Sequence, residues 1–208
     1  MVKNTKAGIE RTREALLDAA EHLFWERGAA RAAVLDIART AGLTRGAFYH
    51  HFRDKAEVLA ALIERSRDPQ YDPPTLVESE PDPLGVLQSF CTDVFHRFAT
   101  DRRQQRMFAI LMQGPETLGD LEPLARVRRE EIFRSLGAYQ TLLERARHDG
   151  RLSPLWSPET AATILYSMMF GLLDQWLREP DSFDIHAAGS ACVSQMFCAF
   201  RDQASPKN

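Results

Sequence analysis

The run from Val34 to Phe52, VLDIARTAGLTRGAFYHHF, leaves this chain few ways to fold. Val34, Ile37, Ala38 and Ala41 recur at i, i+3, i+4 and i+7, so they share one side of a helix and leave Asp36 and Arg39 in water. Gly42 predicts the stop, because the residue past a helix end is usually left-handed and glycine takes that conformation without a Cβ clash. Leu43 then offers an apolar plug. Thr44 is placed to cap a second helix from Arg45 by accepting a backbone N–H two or three residues on. On that second helix Phe48 and Phe52, four apart, point at the first, while Arg45, Gly46, Tyr49 and His50 share the opposite face. A cation, a phenol, an imidazole and a glycine thus gather at a helix N-terminus, where free N–H groups and the dipole favour phosphates. The pattern reads as a helix-turn-helix whose second helix faces a duplex. A packed helical hairpin with a solvated outer side is the alternative.

Charge supports a division of labour. The chain of 208 residues carries a net charge of -3, which argues against indiscriminate nucleic-acid binding. Residues 1 to 55 hold ten Lys or Arg and seven Asp or Glu, hence +3, whereas residues 56 to 208 hold sixteen and twenty-two, hence -6. The two halves are built for different partners. Lys3, Lys6, Arg11 and Arg13 have no apolar run behind them that would serve as a signal peptide, and the chain reads as cytoplasmic. Cys91, Cys192 and Cys198 show no CxxC pairing, so neither a zinc site nor a disulfide framework is expected; no cofactor and no metal are expected either.

Periodicity predicts an all-α chain. Ile9 to Arg27 forms a helix with Leu16, Ala20, Leu23 and Phe24 on one face and Gly28 as its stop. It completes a three-helix head over residues 1–53, whose basic N-terminal arm either lies against phosphates or frays. Asp54 begins a fourth helix, with Glu57 three positions on as in a capping box. Lys55 sits at its start, as a phosphate contact or an ordinary surface cation. Residues 54–208 form the second domain, and the acidic, proline-rich stretch from Asp68 to Pro83 reads as a linker within it. Helical patterns then cover about 84–100, 102–113, 120–148, 161–177 and 184–201. The run AATILYSMMFGLLDQWL is apolar all round, so it needs cover on two sides, yet it is too short and too polar for a bilayer. With the last helix it predicts a homodimer interface through Leu165, Leu172, Trp176, Val193, Met196, Phe197 and Phe200. Two heads on a two-fold axis would meet the half-sites of a palindrome.

The segments LLDAAEHLFWERG and VLDIARTAGLTRGAFYHHFRDKAEVLAAL resemble the DNA-binding head of the TetR/AcrR family of bacterial transcriptional repressors. DPLGVL at 82–87 and GLLDQWLREPDSFD at 171–184 are similar to the effector domains of its multidrug-efflux subgroup. The resemblance implies an all-helical dimer that binds a palindromic double-stranded operator and is released by a small apolar or aromatic effector. It places Arg45, Gly46, Tyr49 and His50 against bases and phosphates, with Thr44 at the entry of that helix and Lys55 on a phosphate. Where the family usually has threonine at the start of helix two, this chain has Ala32 and Ala33, and Arg31 is the nearby substitute for the missing phosphate contact. It also implies a pocket in the body, for which Phe90, Val94, Phe108, Met112, Tyr139, Tyr166, Met169 and Phe170 are the candidate wall, since rings stack and Met repacks around varied compounds. Ordinary core packing accounts for part of that set. Asp174 is a weaker candidate partner for a cationic effector.

No nucleophile stands beside a base and no metal ligands cluster in the sequence, so an enzyme is not expected. A regulator of a catabolic pathway and a thiol-based redox sensor are the alternatives to an efflux repressor; the redox reading needs an exposed, acidified thiol.

Overall fold

The computed structural model describes residues 6–67, 81–112, 122–180 and 182–201. Within them every regular element is an α-helix, with α1 at Lys6–Arg27, α2 at Val34–Thr40, α3 at Arg45–His51, α4 at Lys55–Ser66, α5 at Pro83–Thr100, α6 at Arg102–Met112, α7 at Glu122–His148, α8 at Pro158–Arg178 and α9 at Ile185–Arg201. Most of the Asp68–Pro83 linker and the tip of the basic arm lie outside the described residues.

Two compact units form. The first comprises residues 1–66 and 106–130, the second 67–105 and 131–208. The first unit is knitted by a core of Leu16, Leu17, Ala20, Phe24, Ile37, Ala38, Phe48, Phe52, Val58, Leu59 and Leu62, joined by Met107, Ile110 and Leu124. It therefore extends past the 53/54 boundary expected from sequence, because the apolar face of α4 buries in the same cluster as the three head helices.

Gly42 ends α2 at φ +69°, as its position predicted. Gly42 N–H donates to Arg39 O at 3.0 Å and Leu43 N–H to Ala38 O at 2.8 Å, a paired closure of the helix end that turns the chain sharply into α3. Thr44 caps α3 by accepting from Ala47 N–H at 3.2 Å. At the start of α4, Asp54 Oδ1 accepts from Glu57 N–H at 2.9 Å, while Glu57 Oε2 reaches Arg53 N–H at 2.7 Å. The reciprocal bond thus lands one residue earlier than a capping box places it. Ala33 at the entry of α2 supplies no side-chain cap, the direct consequence of having a methyl where a hydroxyl would serve.

In the second unit α5, α8 and α9 pack around Leu84, Leu87, Cys91, Phe95, Leu165, Leu173, Val193, Phe197 and Phe200. Phe200 meets Phe197 and Trp156 edge to face, at 5.3 and 5.2 Å between centroids, and the backbone O of Phe200 accepts from Ser153 N–H at 2.8 Å. The α8 helix is not apolar all round: Thr163, Ser167, Gly171, Gln175 and Arg178 form one exposed stripe at helical spacing.

Candidate functional site

The two-helix turn presents its second helix as the sequence requires. Phe48 is fully buried, Phe52 is 2% exposed, and the two rings lie 5.8 Å apart, which pins one side of α3 into the core. Thr44, Arg45, Gly46, Tyr49 and His50 are exposed on the other side. Arg45 and Tyr49 are preorganised as a pair: Arg45 Nη2 donates to Tyr49 Oη at 3.3 Å and the guanidinium lies 5.5 Å from the ring centroid. A planar donor fork backed by a phenol suits the edge of a base pair and its neighbouring phosphate. Gly46 is informative for a different reason. A Cβ built there would meet only Thr44 Oγ1, at 3.8 Å, so nothing inside the protein demands a glycine. Close approach of an external surface would.

Arg31 is exposed in the turn ahead of α2. Lys55 is only half exposed. Its ammonium donates to the carbonyl of Ala30 at 2.7 Å, and burial lowers its pKa below the ordinary lysine value. It holds the α1–α2 turn as well as presenting a cation at the start of α4.

One feature of the head escaped the sequence reading. Arg65, 15% exposed, donates to Glu14 at 3.0 Å, Asp18 at 2.7 Å and Glu21 at 2.7 Å. Glu21 also pairs with Arg106 of α6 at 3.3 Å. The three carboxylates hold the Arg65 pKa above its ordinary value despite the opposing effect of burial, which is the largest influence on it. These partners lie 44 to 51 residues from Arg65, beyond the reach of any local pattern.

Among the effector candidates, five are brought together in the second unit. Phe90 meets Tyr139 edge to face at 6.1 Å, Tyr139 lies 6.5 Å from Tyr166, and Tyr166 lies 6.1 Å from Phe170. Tyr139 Oη donates to the Met169 sulfur at 3.7 Å, a weak acceptor for a buried phenol. Burial raises the Tyr139 pKa well above the ordinary phenol and raises that of Tyr166 as well, with Glu131 adding to the latter. Glu131 itself pairs with Arg67 and, at 3.7 Å, with Arg134. Val94 is half-buried one turn beyond Phe90 on α5. Phe108 and Met112, by contrast, belong to α6 within the first unit. Asp174 is taken: both its oxygens accept from Arg178, at 2.9 and 3.0 Å.

The interface candidates divide in the same way. Leu165, Val193, Phe197 and Phe200 have no exposed surface in the single chain, so they build its core and cannot face a partner. Their apolar character alone could not separate core from interface. Leu172, Trp176 and Met196 are half-buried, and Trp176 packs edge to face on Phe98 at 5.7 Å. Small residues make up much of the outward surface, Thr163, Ser167 and Gly171 on α8 and Ala187, Ala191, Ser194 and Cys198 on α9, beside the larger Gln175 and Arg178 on α8 and His186 and Gln195 on α9. Cys91 is fully buried and its thiol pKa is pushed far up by desolvation, whereas Cys198 is exposed. Among the described residues no three His, Cys, Asp or Glu side chains gather as a metal site, and no helix is long and apolar enough to cross a membrane.

Residues 16–62 match the bacterial regulatory proteins of the tetR family, and residues 82–201 match the C-terminal region of MAATS-type transcriptional repressors. The chain belongs to the TetR family of bacterial transcriptional regulators. It is 37% identical to the HTH-type transcriptional repressor BepR of Brucella suis biovar 1 (strain 1330) over 208 residues, covering 98% of this chain and 99% of that protein. Its fold is similar to that of NalD, the secondary repressor of the MexAB-OprM multidrug efflux pump in Pseudomonas aeruginosa, with TM-score 0.82 and 31% identity over 94% of this chain and 98% of NalD. The complex of SmeT with triclosan superimposes with TM-score 0.83 at 28% identity, over 95% of this chain and 98% of SmeT. SmeT represses the Stenotrophomonas maltophilia multidrug efflux pump SmeDEF.

Proposed function

We propose that this chain is a cytoplasmic, non-enzymatic repressor that binds a palindromic operator as a homodimer, controls an efflux pump and is released by a small apolar or aromatic effector. The observation that carries the DNA-binding part is the outer face of α3. Arg45 and Tyr49 are paired there, Gly46 leaves room that the protein does not use, and Thr44 and two buried rings fix the helix. Arg31 and Lys55 flank that face as phosphate contacts, with direct base readout assigned to Arg45, Tyr49 and His50. The efflux assignment rests on the roles of NalD and SmeT as repressors of multidrug efflux pumps.

The effector seats against Phe90, Val94, Tyr139, Tyr166, Met169 and Phe170, a reading supported by the ring contacts among Phe90, Tyr139, Tyr166 and Phe170. Binding shifts α4 and alters the spacing of two heads. Moving occupancy from 99:1 to 1:99 takes a preference of about 5.5 kcal/mol between states, about half per subunit if two effectors bind. Dimerisation uses the outward faces of α8 and α9, whose small residues let helices approach closely, with Leu172, Trp176 and Met196 at their margins.

The test is an electrophoretic mobility shift with duplexes from the promoter regions around the coding sequence, followed by titration of triclosan into the retarded complex. Saturable binding to one palindrome at physiological salt, reversed by the additive, is expected. Binding that follows DNA length without regard to sequence overturns the operator reading. Release by no hydrophobic aromatic compound in a panel overturns the effector reading.

A further inference from the structure

Two exposed imidazoles from different helices stand side by side in the second unit. His96 on α5 and His186 on α9 have ring centroids 5.1 Å apart and planes at 70°. Sequence spacing gives no hint of this, because the residues are separated by the whole of α6, α7 and α8. The helices that carry them are locked at this level. Gly189, one turn after His186, lies directly under the ring of Phe95, the neighbour of His96, and a Cβ there would sit 2.2 Å from Phe95 Cγ. Only a glycine lets α9 come this close, and the approach sets the separation of the histidines.

The geometry points to a binding site for one divalent first-row transition ion, of the zinc or copper type, held by His96 and His186. Imidazole nitrogens are good donors to both metals. A tetrahedral ion at about 2.0–2.1 Å from one nitrogen of each ring sets the ring centroids about 5 Å apart, so the observed separation needs no movement of either helix. The planes are free to rotate about the Cβ–Cγ bond, since both rings are exposed. Neither ring makes a hydrogen bond or ion pair among the described residues, and turning them breaks none. Two protein ligands leave the remaining positions to water, so binding is reversible and of intermediate strength rather than that of a closed structural site. An ion here ties α5 to α9, and α5 also carries Phe90 and Val94.

The experiment uses the full chain without an affinity tag, stripped with EDTA and titrated with Zn2+ in a calorimeter, together with thermal melts in excess Zn2+. One ion per chain with a dissociation constant of about 1–100 µM is expected, along with a rise in melting temperature that EDTA reverses. H96A and H186A, both at exposed helical positions, each weaken binding at least about tenfold and abolish the rise, while H148A leaves both unchanged. Absence of saturable binding below about 1 mM overturns the proposal. So does retention of the Zn2+ response in H96A and H186A when circular dichroism shows them folded.

Discussion

Replacing Gly46 with alanine separates the needs of the fold from those of DNA more sharply than any other single change. In the free protein the added methyl meets nothing closer than Thr44 Oγ1 at 3.8 Å, an ordinary contact, so it introduces no clash. Gly46 follows Arg45, the first residue of α3, and alanine is favoured over glycine in a helix by about 0.5–1 kcal/mol, nearer the lower figure in a first turn. G46A should therefore leave the melting temperature unchanged or raise it by about 1–3 °C. On the operator the sign reverses. If the backbone of Gly46 lies against the duplex, the methyl occupies space that a phosphate or sugar needs, at a cost similar to overpacking, about 1–3 kcal/mol. That is about a 5- to 150-fold loss of affinity. Fluorescence anisotropy with a labelled operator at fixed salt reads the affinity, and a thermal melt reads the fold. Wild-type affinity in G46A refutes the placement of this glycine at the interface. A marked fall in melting temperature refutes the claim that the free protein has room for the methyl.

R45A removes the donor fork and should cost about 1–3 kcal/mol of operator binding, while nonspecific DNA loses much less; equal losses on both would make Arg45 a phosphate contact instead. E21Q removes the carboxylate shared by Arg65 and Arg106. Because Glu21 is buried and Arg65 keeps Glu14 and Asp18, a loss of about 2 kcal/mol in denaturant unfolding is expected, and an unchanged midpoint would show the network to be without net effect. Tyr139 and Tyr166 have raised pKa values, so the unfolded chain loses these protons first, and stability present below about pH 10 falls as pH rises above it. Lys55, lowered by burial, acts in the opposite sense, and its contribution is complete by its ordinary value of 10.5. Unfolding midpoints at rising pH should therefore drop beyond that point, and less steeply in Tyr166→Phe. Ala191→Arg, on the outward face of α9, should convert a dimer to a monomer in light scattering and weaken operator binding; a dimer of wild-type strength places the interface elsewhere.

The head was legible because its signals are local. Gly42, Thr44 and the Phe48–Phe52 pair act within one turn of themselves, so spacing alone located the stop, the cap and the buried face. Helix ends in the body were also close to expectation, since capping residues and prolines act over one turn. What spacing could not provide was the partner of each apolar residue. Phe197 and Phe200 read as interface from their apolar spacing, which core residues share, and their enclosure by Trp156 and the rest of the second unit makes them core. Phe108 and Tyr139 looked equivalent as pocket residues, yet they fall in different units. The pairing of Arg65 with three acids on α1 is invisible for the same reason: charge on two distant helix faces carries no address.

The bond from Lys55 to the carbonyl of Ala30 has a mechanical meaning. It spans 25 residues and fastens the first residue of α4 to the turn that leads into α2. If α4 tilts at that end, as the proposed release requires, it would tug on the loop carrying Arg31 and reset the angle at which the two-helix wedge is offered. In this head the hinge and the grip share one screw, so a modest swing of a single helix would reach the hand through this bond as well as through the core they share.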